Sequence, residues 1–120
     1  MTMSNAREIV DRYFTALKQK DFAAMRTLVH DDVTFKGALG TTSGAEDYIK
    51  GLKQITATMS DVERRVVVAE GEDVFQVYDL TLAKPAVTLP IAQWLKVRDN
   101  RIAMVRVFFD PRPLVQPSAS

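Results

Sequence analysis

From Val62 to Phe109 the chain is an almost unbroken β pattern, interrupted only by Gly71-Glu72-Asp73, Lys84-Pro85 and Asp99-Asn100. Those breaks are turn-forming residues, so they divide the second half into strands at 62–69, 74–82, 87–98 and 101–109. Asp-Asn accepts the positive φ that a two-residue hairpin demands. Pro90 has no N–H for a ladder, which places it at a sheet edge or a bulge. Strands in direct succession pair with their neighbours, so the second half predicts an antiparallel sheet.

Both faces of that sheet carry large apolar groups. Along 87–98 one parity holds Val87, Leu89, Ile91, Gln93, Leu95 and Val97, and the other includes Thr88, Ala92, Trp94, Lys96 and Arg98. Along 101–109 one set is Ala103, Val105, Val107 and Phe109, and the other is Ile102, Met104, Arg106 and Phe108. A half-solvated sheet alternates more cleanly. One face is therefore expected to meet helices. The other is expected to meet a second copy of the chain, giving a homodimer through Trp94, Met104, Arg106 and Phe108. Ala92 and Ile102 are expected within that patch, with acids such as Asp79, in either subunit, as charge partners for Lys96 and Arg106.

The first half supplies the helices. Ser4 is expected to cap a helix with Val10, Tyr13, Phe14 and Leu17 on one stripe. Asp21 is expected to cap a short second helix with Phe22, Met25, Leu28 and Val29 inward, closed by His30-Asp31-Asp32. Val33-Thr34-Phe35 alternates like a short strand, and residues 37–44 read as a glycine-rich loop. Ser43 followed by Glu46 fits a capping box for a third helix, with Tyr48, Leu52, Ile55 and Met59 on its stripe. Helices followed by consecutive strands predict an α+β fold, with helices on one face of a curved antiparallel sheet.

At 120 residues the chain has room for one domain, expected at 1–113, with a C-terminal tail at 114–120. Sixteen Lys and Arg against fifteen Asp and Glu leave a net charge of +1, which offers no basic field for nucleic acid or an anionic membrane. With no cysteine and one histidine, neither a disulfide framework nor a His-based or Cys-based metal site is expected, and no cofactor is expected. The first residues are too polar for a signal peptide, and no apolar run approaches a membrane span. The expected location is cytoplasmic.

Three runs of residues carry a family resemblance. They are Arg12-Tyr13-Phe14 through Lys20-Asp21-Phe22, Leu28 through Phe35, and Trp94 through Ile102 running on to Phe108-Phe109-Asp110-Pro111. In order and spacing they resemble the SnoaL-like branch of the nuclear transport factor 2-like superfamily. The resemblance implies a cone: a bent sheet wrapped around N-terminal helices, enclosing a deep apolar pocket, commonly in a homodimer. It spans isomerases, hydrolases, dehydratases, cyclases and non-catalytic binders, so the fold does not choose a reaction. Tyr13 falls where steroid delta-isomerases keep an oxyanion-binding tyrosine. Their base position reads Gly37 here, and their acidic donor position reads Gln93. The inward aspartate of limonene epoxide hydrolases reads Val107, and His30 does not match the histidine of scytalone dehydratase.

With Gln93 on the inner face, matching the strands without gaps sets Val74, Gln76, Tyr78, Leu80 and Leu82 inward as well. The expected ligand-binding residues are Tyr13, Phe35, Leu52, Gln76, Tyr78, Leu80, Ile91, Gln93, Val107 and Phe109. That lining suits a small, mainly apolar molecule bearing one or two oxygens. Catalytic residues stay unassigned. The alternatives are an isomerase, hydrolase or cyclase using Tyr13 and Gln93, or a non-catalytic dimeric interaction module. His30, Asp31, Asp32 and Asp110 read as helix-end and turn residues, and Arg64-Arg65 as a solvated pair.

Overall fold

The computed structural model describes residues 5–38 and 40–115. The elements run α1 (Ala6–Lys18), α2 (Phe22–Thr27), β1 (Val29–Gly37), β2 (Gly40–Ser43), α3 (Ala45–Thr56), β3 (Met59–Glu70), β4 (Asp73–Ala83), β5 (Ala86–Arg98), β6 (Arg101–Phe108) and α4 (Arg112–Val115). One six-stranded sheet has the order β2-β1-β6-β5-β4-β3. The fold is α+β, with a curved sheet and N-terminal helices. Neighbouring strands are antiparallel except β1 and β6, which run parallel. A long crossover makes that pair possible, because the whole chain from β2 to β5 separates the two strands.

Helix α1 buries Ile9, Val10, Tyr13, Phe14 and Leu17 against the sheet. Its expected cap, Ser4, lies outside the described residues, and Asn5 at the N-cap makes no side-chain capping bond. Asp21 does cap α2, accepting from the Ala24 N–H at 3.1 Å. That helix ends at Thr27. The residues expected to close it belong instead to β1, because Val29 pairs with Ile102 and fixes strand geometry there. The register shifts between Val29 and Thr34, and Asp31 and Asp32 stay exposed.

The expected loop at 37–44 is largely strand β2, in which Thr41, Thr42 and Ser43 pair with Lys36, Phe35 and Thr34. Ser43 is therefore not a cap. Gly44 occupies the N-cap of α3 at φ 99°, a conformation that favours glycine, and its N–H reaches the Val33 carbonyl at 2.8 Å. Helix α3 ends at Thr56, so Met59 opens β3 rather than closing the helical stripe.

The β4–β5 register is unbroken, and Pro90 pairs with Asp79 without a bulge. Pairing of β5 with β6 stops at Ala92–Phe108, so the β6 side of Pro90 is a free edge. Asp99 and Asn100 turn with φ 53° and 63°, as a tight hairpin of this type requires. Bulges interrupt the flanking strands. In β6 the shift after Lys96–Met104 leaves Ala103 extra before Val97–Ile102. Ile102 is thereby turned inward and fully buried, which removes it from the outer patch where simple alternation had placed it. In β3 a shift leaves Arg65 extra between Arg64–Tyr78 and Val66–Val77. At the chain's end, Arg112 clasps Asp110 at 2.8 Å and Leu114 packs against the core, while residues 116–120 lie outside the described set.

Candidate functional site

The concave side of the sheet is a ladder of inward rows. One row crosses Val62, Leu80 and Leu89; another crosses Arg64, Tyr78 and Ile91; a third crosses Val67, Gln76, Gln93 and Val107. Between these rows, α1 and α3 lies a cavity of about 490 Å³. That volume is in the range of small-molecule sites. Tyr13, Phe35, Leu52, Tyr78, Leu80, Ile91, Gln93, Val107 and Phe109 stand on its wall. Gln76 does not: it is buried one position behind the wall, bonded to Gln93. Thr41, Thr42, Gly37, Ala38, Gly40, Gly51 and Gln54 complete much of the remainder. Small residues from the β1–β2 hairpin and the middle of α3 leave that side thin, and a Cβ added at Gly51 would meet nothing within 4 Å.

The described wall carries no carboxylate, imidazole, ammonium or guanidinium; its ionisable groups are Tyr13, Tyr48 and Tyr78. Burial pushes all three phenols up, and mutual interactions add to the shift of Tyr13 (from Tyr48) and Tyr78 (from Tyr13). At Tyr48 the hydrogen bond to Tyr13 opposes the effect of burial, which still prevails. The three are therefore neutral hydrogen-bonding groups at physiological pH, not bases. The Tyr13 and Tyr48 hydroxyls bond to each other deep in the cavity. Two phenols carry two protons and the contact uses one, so the pair retains one O–H to donate.

Tyr48 was absent from the expected site although it lies one helical turn before Leu52, which was included. Residues four apart on a helix share a face, so Leu52 on the wall already implied Tyr48 beside it. Gly37, where the resemblance implies an isomerase base would stand, is also on the wall. A Cβ there would come within 2.7 Å of Phe35 Cζ, so the Phe35 ring fills the space that an acidic side chain would need. The same ring packs on Tyr48 with centroids 5.7 Å apart. His30 lies away from the cavity. It is on β1, with Nε2 2.5 Å from the Arg98 carbonyl oxygen, so a strand-to-strand contact replaces the expected helix-end role.

Behind the wall runs a polar relay. Asp11 on α1 accepts from Arg64 Nη1 at 2.7 Å. Arg64 Nε donates to Gln76 Oε1 at 3.0 Å. Gln76 Nε2 donates to Gln93 Oε1 at 2.6 Å. Arg64 is expected to be solvated beside Arg65, but it alternates inward with Val62 just before the bulge, with its side chain only 20% exposed. Its Cζ lies 4.8 Å from the Phe14 ring centroid, and the ring face attracts the cation. Burial would raise the Asp11 pKa, but hydrogen bonds from Arg64 and Arg7 win and hold it below the ordinary carboxylate value. A hydrogen bond to a charged group contributes about 1.5–3 kcal/mol, so the arginine end of the relay is its strongest link.

The convex side is apolar and open. Two rows cross it: Val66, Val77, Ala92 and Phe108, then Val68, Phe75, Trp94 and Arg106. Phe108 is 57% exposed and Val68 55%. Trp94 stacks with Phe75 at 5.8 Å between centroids, donates to Asp73 Oδ1 at 2.8 Å, and lies under the Arg106 guanidinium. Two ion pairs within the chain lie on this face. Asp79 pairs with Arg65 at 2.8 Å, and Lys96 pairs with Asp73 at 3.1 Å.

Among the described residues no group of His, Cys, Asp or Glu is placed to hold a metal ion, and no helix is long and apolar enough to cross a membrane. No curated protein is significantly similar in sequence to the chain. Among solved structures it is similar to an NTF2-like protein of unknown function from Cytophaga hutchinsonii, at 26% identity and TM-score 0.81, covering 94% of this chain and 96% of that one. A de novo designed protein with a curved β-sheet matches at 23% identity and TM-score 0.80, over 92% and 90% of the two chains. An LEH-like epoxide hydrolase from M. tuberculosis matches at 21% identity and TM-score 0.75, over 88% and 82%. The last two likenesses carry fold alone. The SnoaL-like domain model matches residues 10–105, and the chain belongs to that family.

Proposed function

We propose that the chain binds a small, mainly hydrophobic molecule in the cavity, anchored through one or two oxygens. The observation that carries this is the wall itself: a mainly apolar enclosure whose polar groups include a phenol pair with a spare proton, the Gln93 amide and the hydroxyls of Tyr78, Thr41 and Thr42. Apolar burial would supply affinity and the few polar groups orientation. A ketone probe, 2-acetylnaphthalene, tests the reading by calorimetry. Saturable binding at one site is expected, abolished by Gly51→Trp, which places an indole on the thin side of the cavity. Absence of binding to the wild type, or unchanged binding to folded Gly51→Trp, would refute it.

A second reading, an isomerase, hydrolase or cyclase working through Tyr13 and Gln93, is favoured by two donors sharing one low-dielectric cavity. Donors so placed stabilise a developing oxyanion. With glycine at position 37, proton abstraction from a β,γ-unsaturated ketosteroid should stay at background, since a general base contributes about 10²–10⁴-fold. Robust turnover would overturn that expectation.

We also propose that the convex face pairs two copies of the chain. The two rows through Phe75, Trp94 and Phe108 form a wider apolar surface than monomers usually leave in water. Sedimentation at micromolar concentration should give a dimer. Phe108→Glu is a cleaner disruptor than Trp94→Glu, because a new acid at position 94 would also face Asp73 within its own chain. A wild-type monomer would reject the pairing.

A further inference from the structure

We propose that Arg64 is a positioning residue that sets the hydrogen-bond polarity of the cavity through Gln76 and Gln93, making the site selective for a ligand oxygen that accepts. This rests on the cavity's being a ligand site. The argument starts from what each group is able to do. A guanidinium has donors and no acceptor. Arg64 Nε, 3.0 Å from the Gln76 amide, therefore requires the oxygen of that amide to face it. The Gln76 nitrogen then faces Gln93, at 2.6 Å, and only the Gln93 oxygen satisfies it.

What remains of the Gln93 amide is its Nε2, on a residue that lines the cavity. Among the described residues it has no acceptor, and it is not sealed from the cavity as the buried, unpartnered Arg64 Nη2 is. Amide orientation is ordinarily free to invert when both ends find partners. Here inversion would set N–H against N–H at Arg64. The cation at the far end thus fixes which atom the ligand meets two amides away. Asp11 holds the guanidinium at Nη1, and the Phe14 ring lies beneath it.

A ligand oxygen that only accepts, such as that of a ketone, an epoxide or an ether, finds the donor it needs. An alcohol is able to accept there too, but its own hydrogen gains nothing from Nε2 and has to reach a separate acceptor on the wall, such as the unpartnered Thr42 Oγ1. Arg64 touches no ligand in this arrangement and acts wholly through the two glutamines.

Two measurements test this separately. In isotope-labelled wild type, scalar coupling across the Gln76–Gln93 hydrogen bond should run from the Gln76 side-chain nitrogen to the Gln93 side-chain carbonyl. Coupling in the opposite direction would overturn the polarity outright, whatever binds. The second measurement compares 2-acetylnaphthalene with 1-(2-naphthyl)ethanol, which share a carbon skeleton. The ketone should bind about tenfold more tightly to wild type. That ratio should fall towards one in Arg64→Met, where Gln76 is free to invert, and recover in Arg64→Lys, which restores a donor. A purely structural role would weaken both probes together and leave the ratio unchanged, which would reject the proposal. If neither probe binds wild type while the coupling runs as expected, the ligand reading fails and selectivity with it.

Discussion

The two faces of the sheet are built from adjacent residues and differ in kind. Val74 is inward and fully buried; Phe75, its neighbour, is outward and 44% exposed. On β5 the contrast is milder, with Leu95 fully buried and Trp94 half-buried. The inner face gathers apolar side chains around a cavity and links much of its polarity in the Asp11–Arg64–Gln76–Gln93 relay and the Tyr13–Tyr48 pair. The outer face has large apolar side chains in the open, and its polar contacts, Asp73 with Trp94 and Lys96, border solvent. Burial on one side of the backbone and exposure on the other means that the same chemical change should have different consequences one residue apart.

The largest expected difference is at alkaline pH. All three tyrosines of the chain are buried on the inner side, and burial raises each of their pKa values. Above about pH 10 the unfolded chain loses phenolic protons that the folded chain keeps. The unfolded state then binds fewer protons, so stability falls as pH rises. The slope approaches about 1.4 kcal/mol per pH unit for each tyrosine that keeps its proton in the folded chain. Tyrosinate absorbance should therefore appear together with the loss of helical ellipticity. Its appearance in a still-folded chain would mean that the inner face is wetter than its packing indicates.

Next in size is a pair of truncations. Leu95→Ala, at a fully buried position, should cost about 2–5 kcal/mol in urea unfolding. Phe75→Ala should cost under about 1 kcal/mol once dimer and monomer are separated by working at low concentration. Equal costs would erase the distinction between the faces.

Smaller again is the effect of breaking the inner relay. Gln76→Leu leaves Arg64 Nε without its acceptor and Gln93 Oε1 without its donor, and should destabilise by about 1–3 kcal/mol. Adding Gln93→Leu should recover part of that loss, since the second substitution removes an orphaned group. A double-mutant cycle that proved additive would show that the amides do not act as a unit.

How far the sequence alone reveals this architecture depends on the length over which a pattern persists. The β4–β5 hairpin is legible because its register runs unbroken from Asp73–Lys96 to Ala83–Ala86, so parity assigned at Gln93 carries to Gln76, Tyr78 and Leu80. The β3 and β6 bulges are not legible, since one extra residue has no composition signal; the β6 bulge turns Ile102 inward, and the β3 bulge sends Val66 and Val68 to the outer face after Val62 and Arg64 point inward. Strands β1 and β2 are hidden for another reason. His30-Asp31-Asp32 have weak intrinsic β preference and lie in the register shift between Val29–Ile102 and Thr34–Met104, and Thr41-Thr42, set between glycines, are held as a strand by closing a hairpin with β1. Within the cavity wall, single positions such as Tyr13 and Phe109 follow from helix and strand periodicity. The relay depends on three elements meeting, and no local pattern contains it.

The smallest expected effect belongs to the outer face and lies at the opposite end of the pH scale. Hydrogen bonds from Trp94 Nε1, then from Lys96, hold the Asp73 carboxyl below the ordinary carboxylate value. A lowered folded pKa means that the contribution to stability is present above the unfolded value near pH 4 and is lost as pH falls through the folded one. Both partners border solvent, with side chains 31% and 39% exposed for Asp73 and Lys96, so screening keeps the contribution to about 0.2–1 kcal/mol. Trp94 is the only tryptophan, so its fluorescence isolates this one contact. An emission change is expected below pH 4 while far-UV ellipticity holds, and it should vanish in Asp73→Asn, which keeps an acceptor for the indole but does not titrate. In the paired form the step should move further down or disappear, because covering Trp94 with a second copy would shield the contact from solvent. A step unchanged by protein concentration across the dimer range would place Trp94 outside the pairing surface, and would leave the row through Val77 and Phe108 as its centre.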